Sequence, residues 1–408
     1  GGRVAVYYDA LSLPVDSITA RGGVAVNVPG VGGSAGTVYL KANSEPYGSV
    51  IIDNGNNACE LYSPLRTSLS QLKQLQVQAR GRLRAVTGEV AAVTIDQPVV
   101  VSDLSALSLD SLVTLAVSNG SGADVIVAGQ GLLTLAAGSR LAASAVRIDG
   151  GAVTSASDLS FPVGTDLEVV NGGSLTMLAP AVLRVGVLDT TNVKSGTLAI
   201  GAGSRLDIAA DRAVIGPGLT LVKDGAFGPA DGIGALDIAA GGVVTHSGRL
   251  EAGLRLQVGG ILTVASGGAI DVVGKGLRGG NNGSVFGEAG EAYSATGDSI
   301  VAGAPWRVYG AAGASSGGLG SAGSEGGPTN AAYGLLESPV HLGAGGGRGG
   351  HNYAPGRGGS GGGRVTIDAG VLQVDGAIRA DGAAVPIDDS FYYQPGAGAG
   401  GSILIRAG

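Results

Sequence analysis

The chain has 408 residues, a net charge of −7 and 78 glycines, and only 14% of its residues are charged. A chain of this charge lacks the basic face that nucleic-acid binding requires, and no apolar run reaches the roughly 18 residues of a membrane span. Because 44% of the residues are hydrophobic, mostly small aliphatics, we expect thin stacked layers and neither a disordered chain nor a globule centred on aromatic residues.

Residues 1–60 alternate short β-rich runs with glycine turns, which predicts an N-terminal β module. The predicted strands are residues 3–8, 37–41 and 49–53, each rich in β-branched or aromatic side chains. Cys59 is the single cysteine, so internal disulfides are excluded, and we expect it to be a small buried hydrophobe.

Residues 61–275 carry a repeated pattern of a glycine or serine turn followed by a short alternating strand. Typical runs are residues 131–135, 173–177, 196–200 and 260–264. Their spacing of about twenty residues, or a multiple of it, is the pattern of a β-solenoid. Crossovers between parallel strands are almost always right-handed, so the prediction is an all-β, right-handed parallel β-helix. An amphipathic helix competes only at residues 66–85, where we favour strands.

Residues 276–363 are dominated by glycine and allow two interpretations. One is a disordered linker. The other is a set of extended, polyglycine-II-like segments packed side by side, because glycine alone allows such close backbone approach. Tyr293, Trp306 and Tyr353 favour order, since a pure linker would not need them.

Residues 364–408 form a C-terminal β module that repeats the N-terminal one. Three blocks recur in the same order and at nearly the same spacing: residues 362–367 match 1–6, residues 375–382 match 16–22, and residues 398–405 match 33–40. The sequence therefore predicts glycine-rich layers of one kind at both ends of the solenoid.

The motifs at residues 333–335, 342–346, 361–365, 374–378 and 400–403 resemble a glycine-rich repeat module of very large, adhesin-like bacterial surface proteins. A more distant resemblance is to the glycine-rich domain of anaplastic lymphoma kinase receptors. The likeness covers residues 1–57 and about 260–408. It implies an extracellular or cell-surface protein of structural or adhesive role, and it brings no catalytic residues.

In the family order, the C-terminal module seen here leads into the N-terminal one. We therefore expect either a piece of a tandem array in a shifted frame or a subunit whose ends stack head to tail. The partners would be copies of itself or adjacent repeats, and a heterologous contact of that kind builds an open filament.

The alternative function is a carbohydrate-binding or polysaccharide-cleaving β-helix protein, which would need clustered carboxylates. Asp388 and Asp389 form the only adjacent acidic pair, and we predict a solvated turn there and no enzyme. His246, His341 and His351 are too scattered to predict a metal site. Residues 232–237 resemble one toxin-type calcium repeat; calcium stays an open alternative, and no other cofactor is predicted.

Aromatic residues gather towards the two ends of the chain. They either staple glycine-rich layers or form a contact surface for a neighbouring copy or a surface glycan. The candidate interface residues are Tyr7, Tyr8, Tyr39, Tyr392, Tyr393 and Trp306.

Overall fold

The structure is a computed structural model that describes residues 1–24, 32–307, 311–323, 329–350, 356–385 and 394–408. The protein is all-β with almost no helix, and its stacked parallel strands form a β-solenoid of about nine turns, which confirms the predicted fold class. The chain divides into two compact units: residues 1–210 with 216–220, and residues 211–215 with 221–408. The four segments proposed from the sequence stay a prediction.

The first unit is built from short strands and one 3-10 turn at Val15–Ser17. Its strands are β1 (Arg3–Tyr8), β2 (Thr37–Ala42), β3 (Ser49–Asp53), β4 (Ser63–Pro64), β5 (Gln71–Leu72), β6 (Gln74–Gln78), β7 (Arg82–Ala85), β8 (Ala92–Ile95), β9 (Val99–Val101), β10 (Ala106–Leu109), β11 (Thr114–Val117), β12 (Val125–Ala128), β13 (Leu132–Leu135), β14 (Arg140–Ala142), β15 (Val146–Asp149), β16 (Ala152–Ser155), β17 (Leu159–Phe161), β18 (Leu167–Val170), β19 (Gly173–Met177), β20 (Val182–Val185), β21 (Gly196–Ile200) and β22 (Arg205–Ile208).

The core of this unit is made of columns of aliphatic side chains, one from each coil. Along the parallel strands β10, β13, β16, β19 and β21, the register stacks Leu107, Leu133, Val153, Leu175 and Leu198 in one column. Each is at most 1% exposed. A buried aliphatic side chain stabilises the fold by roughly 1.5–3 kcal/mol, so each coil is held by the coils on either side of it.

Residues 66–85, for which the sequence also allowed an amphipathic helix, contain strands β5, β6 and β7, as we favoured. Leu75 and Val77 are buried and alternate with the half-buried Gln74, Gln76 and Gln78, which is the period of two of a half-buried strand. Cys59 is a free thiol and only 5% exposed, as expected of a small buried hydrophobe.

The second unit has longer strands as well as short ones, and a 3-10 turn at Pro229–Asp231. Strand β24 is divided between the two units. The strands are β23 (Arg212–Ile215), β24 (Leu219–Lys223), β25 (Gly225–Phe227), β26 (Ala235–Ile238), β27 (Val243–Thr245), β28 (Leu254–Val264), β29 (Ala269–Asp271), β30 (Glu291–Tyr293), β31 (Ile300–Ala302), β32 (Arg364–Val374), β33 (Ala377–Arg379) and β34 (Ser402–Ala407).

One sheet of the second unit carries the C-terminal module. Strands β26, β28, β32 and β34 lie side by side and are parallel. The long strands β28 and β32 pair along nearly their whole length, with an irregularity between Val258 and Ile261. This pairing places the C-terminal module on the last solenoid layers.

The described glycine-rich segments of the second unit are ordered and bonded side by side through their backbones. Leu277 donates its N–H to Gly343 O (3.0 Å), Gly343 donates to Gly362 O (2.8 Å), and Gly362 donates to Ala399 O (2.8 Å). A Cβ added at Gly361 would overlap the carbonyl group of Gly343. Only glycine allows backbones this close together, so the described segments form packed, hydrogen-bonded layers, and the polyglycine-II-like geometry stays a prediction.

Candidate assembly interface

The N-terminal and C-terminal modules use the same strand pairing. β1 pairs with β2 from Arg3↔Thr37 to Tyr8↔Ala42, and β32 pairs with β34 from Arg364↔Ser402 to Ala369↔Ala407. The sequence repeat aligns β1 with the first six residues of β32, and β2 with β34. The two registers therefore coincide residue by residue.

The glycine turns of the two modules also share their hydrogen bonds. Gly36 donates to Ala20 O at 2.6 Å, and its counterpart Gly401 donates to Ala380 O at 2.7 Å. The next bond is likewise shared: Thr37 N–H to Gly2 O is 3.1 Å, and Ser402 N–H to Gly363 O is 3.0 Å. These hydrogen bonds join backbone atoms only. Their agreement therefore shows that the two modules share one backbone arrangement.

Each module ends in a strand with one open edge. Among the described residues, β1 is bonded in its sheet only to β2, and β34 only to β32. An edge of this kind presents unpaired N–H and C=O groups on which another strand can add.

Three of the predicted interface residues lie on β1 and β2, with Tyr7 and Tyr39 on one face of the sheet and Tyr8 on the other. The rings of Tyr7 and Tyr39 are edge to face with centroids 5.9 Å apart, and Tyr7 is 64% exposed. Burial raises the pKa of the Tyr39 hydroxyl, and the nearby Tyr7 adds to this shift. Tyr8 lines a cleft of about 210 Å³ together with Tyr47 and Lys73.

Trp306 belongs to the second unit, whereas Tyr7, Tyr8 and Tyr39 belong to the first. Its indole N–H donates to Gly350 O (3.1 Å), and the Arg348 guanidinium lies 6.0 Å from the ring centroid. These contacts tie glycine-rich segments together. Tyr392 and Tyr393 lie outside the described residues, as do Asp388 and Asp389.

A second aromatic group, which the sequence did not predict as a unit, consists of Tyr293, Tyr333 and His341. The three rings meet edge to face, with centroids 4.8–5.7 Å apart. Tyr333 donates its hydroxyl to Leu342 O at 2.7 Å. Burial raises the pKa of Tyr293 to about 12 and also raises the pKa of Tyr333, so both remain neutral donors. The spacing of aromatics in a glycine tract was visible in the sequence, but their pairing was not.

His246 fixes the start of β32. Its imidazole is fully buried, its Nδ1–H donates to Ser247 O (2.7 Å), and its Nε2 accepts the backbone N–H of Arg364 (3.2 Å). These bonds require the neutral ring. Burial lowers the pKa of His246, while Asp224 acts in the opposite sense and Lys275 in the same sense.

We therefore expect the protein to lose stability in mild acid through His246. The folded-state pKa is depressed, so the unfolded chain binds the proton more readily, and the contribution is lost as pH falls below about 6.5. Urea unfolding at about pH 7.5 and about pH 5.5 measures this loss. A His246→Gln variant, whose amide oxygen can accept from Arg364 but does not titrate, should lose less; an equal loss in both proteins would contradict the assignment.

No cluster of metal ligands occurs in the described ranges: no group of three or more His, Cys, Asp or Glu side chains is placed to hold an ion. In the calcium-like segment, the Asp237 carboxylate is paired with Arg212. Across the same part of the chain, no helix has the length and apolar composition needed to cross a bilayer.

Comparison with known proteins adds no relative. No family model, curated protein or solved structure matches the chain.

Proposed function

We propose that this protein is a structural or adhesive segment of the bacterial cell surface, in which layered modules are joined head to tail. It would serve either as one stretch of a very large surface protein or as a subunit of a surface fibre. The observation that carries the proposal is the shared register and shared glycine hydrogen bonds of the two terminal modules. The surface location follows from the resemblance of residues 1–57 and about 260–408 to surface-protein repeats.

The charged surface of the solenoid supports a mechanical role. Glu168 accepts from Arg147 (2.6 Å) on the preceding coil and from Lys194 (2.6 Å) on the following one. The hydrogen bond from Lys194 is the main cause that lowers the pKa of Glu168. Each exposed pair contributes little alone, but a series of them tightens contacts between successive coils of the solenoid.

The test is self-association of the full chain, followed by sedimentation velocity and negative-stain imaging as concentration rises. We expect end-to-end particles whose lengths are multiples of one subunit, since a head-to-tail contact does not close on itself. Monomers alone at the highest concentration would contradict assembly as a fibre subunit.

A proline substitution on the open edge of β1, matched by a threonine substitution at the same position, tests strand addition. Thr37 donates to Gly2 O and Asn43 donates to Tyr8 O (2.7 Å), so the alternation of a parallel ladder turns the N–H of Ala5 away from β2. An Ala5→Pro variant should keep β1 paired with β2 yet block strand addition. Assembly should fall at least about tenfold, whereas Ala5→Thr, which keeps the edge N–H, should assemble normally.

A further inference from the structure

We infer that the two terminal modules occupy the same layer of a continuous solenoid, so that position 407 of one copy is structurally followed by position 43 of the next. In such a solenoid β34 takes the place that β2 holds in a single chain, so its open edge is the position of β3 from the following repeat. β32 likewise takes the place of β1, so the open edge of β1 is the position of β28 from the preceding repeat. This inference rests on the proposed tandem use of the modules and specifies one shared module at each junction.

Among the described residues, β34 has no neighbouring strand on its outer edge, whereas the equivalent edge of β2 is paired with β3. In the N-terminal module, β3 adds to β2 in antiparallel register through pairs such as Val38↔Ile51. Val38 is then 3% exposed and Leu40 is 6% exposed. In the C-terminal module, the counterpart of Leu40 is Ile405, which is 44% exposed. The exposed isoleucine marks the place where an antiparallel strand like β3 is missing.

The edge of β1 shows the reciprocal difference. In the C-terminal module, β28 adds to β32 in parallel register, and Val365 and Ile367 are fully buried. Their counterparts in β1, Val4 and Val6, are only half-buried. A parallel strand with the apolar alternation of β28 would complete their burial, so each module shows which strand the other lacks.

The sequences of the two strands and the hydrogen bond of the residue after each also agree. β2 has the sequence TVYLKA and β34 has SILIRA, so each position keeps its chemical character except that Leu404 replaces Tyr39. After β2, Asn43 donates its N–H to Tyr8 O at 2.7 Å; after β34, Gly408 donates to Ala369 O at 3.3 Å. Gly408 thus occupies the ladder position of Asn43.

A direct test is an overlap fusion in which residues 1–407 of one copy are followed by residues 43–408 of a second. An Ile405→Cys substitution in the first copy, with Cys59→Ala in both copies, reports whether the edge of β34 is covered. The matched control joins two complete copies, with the same substitutions, through a flexible Gly/Ser linker. A Leu40→Cys variant of the single chain gives the rate for a covered thiol.

We expect the thiol at position 405 to react at least about tenfold more slowly with a maleimide in the overlap fusion than in the linker control. Its rate should approach that of the Leu40→Cys variant. An equal rate in fusion and control would overturn the inference, and so would a fusion that fails to fold while the control folds. Because the fusion supplies the second copy covalently, the result does not depend on whether the separate chain assembles.

Discussion

Replacing Gly361 with alanine is expected to destabilise the second unit by about 3 kcal/mol, the upper range for forcing an extra carbon into a packed interior. Gly361 is buried in the glycine-rich layers, where its N–H donates to Leu277 O (2.9 Å). The added methyl group would overlap the backbone of Gly343, which cannot move as a side chain could. Thermal unfolding should show a Tm lower by about 6–12 °C for a unit of this size.

Gly400→Ala is the matched control for this change. Gly400 is exposed, and an added Cβ would lie 3.8 Å from the nearest atom, the Ala380 oxygen. The variant should be neutral, or stabilised by up to about 1 kcal/mol because alanine restricts the unfolded chain. Equal melting of the two variants would show that the layers are not closely packed at Gly361.

Removing the cation at Lys223 is expected to cost about 3–5 kcal/mol, the range for breaking a buried ion pair. The Lys223 Nζ and an Asp231 carboxylate oxygen lie 3.6 Å apart, with side chains 5% and 3% exposed. Desolvation lowers the pKa of Lys223 and outweighs the opposing effect of Asp231, so the interior disfavours the charged amine and the ion pair only partly offsets this. Lys223→Met leaves the carboxylate in the interior without its cationic neighbour, and urea unfolding should record the loss.

A second substitution separates charge from shape at this pair. Asp231→Asn keeps an oxygen that can accept the Gly228 N–H, which Asp231 accepts at 3.2 Å. The Lys223→Met, Asp231→Asn double variant should therefore recover part of the stability that Lys223→Met loses, a coupling of about 0.5–3 kcal/mol. A double variant less stable than the sum of the two single losses would contradict an electrostatic origin.

Local strand patterns were readable from the sequence. Gly173–Met177 and Gly196–Ile200 form strands with the bounds predicted for them, because a period of two bounded by glycine needs no distant information. The repeat was equally readable, since it depends only on matching residues 362–367 and 398–405 to the start of the chain. In the structure, the matched residues of the two modules have the same strand register.

Long-range contacts were not readable. The hydrogen bond from Arg364 to His246 joins residues 118 apart, and the sequence marked His246 only as one of three scattered histidines. Tyr293, Tyr333 and His341 were visible singly, but their contacts depend on how the glycine-rich segments fold against each other. Tyr7 and Tyr39 meet because β1 and β2 are adjacent parallel strands, a pairing that alternation alone does not specify.

The aliphatic column through Leu107, Leu133, Val153, Leu175 and Leu198 has an evolutionary consequence. Every coil offers the same apolar chemistry to the coil above and to the coil below. A duplicated or deleted coil therefore meets neighbours that already fit it, and the change in stability is close to one repeat plus one interface. Selection can thus lengthen or shorten such a solenoid in steps of about twenty residues by recombination, without redesigning its interior.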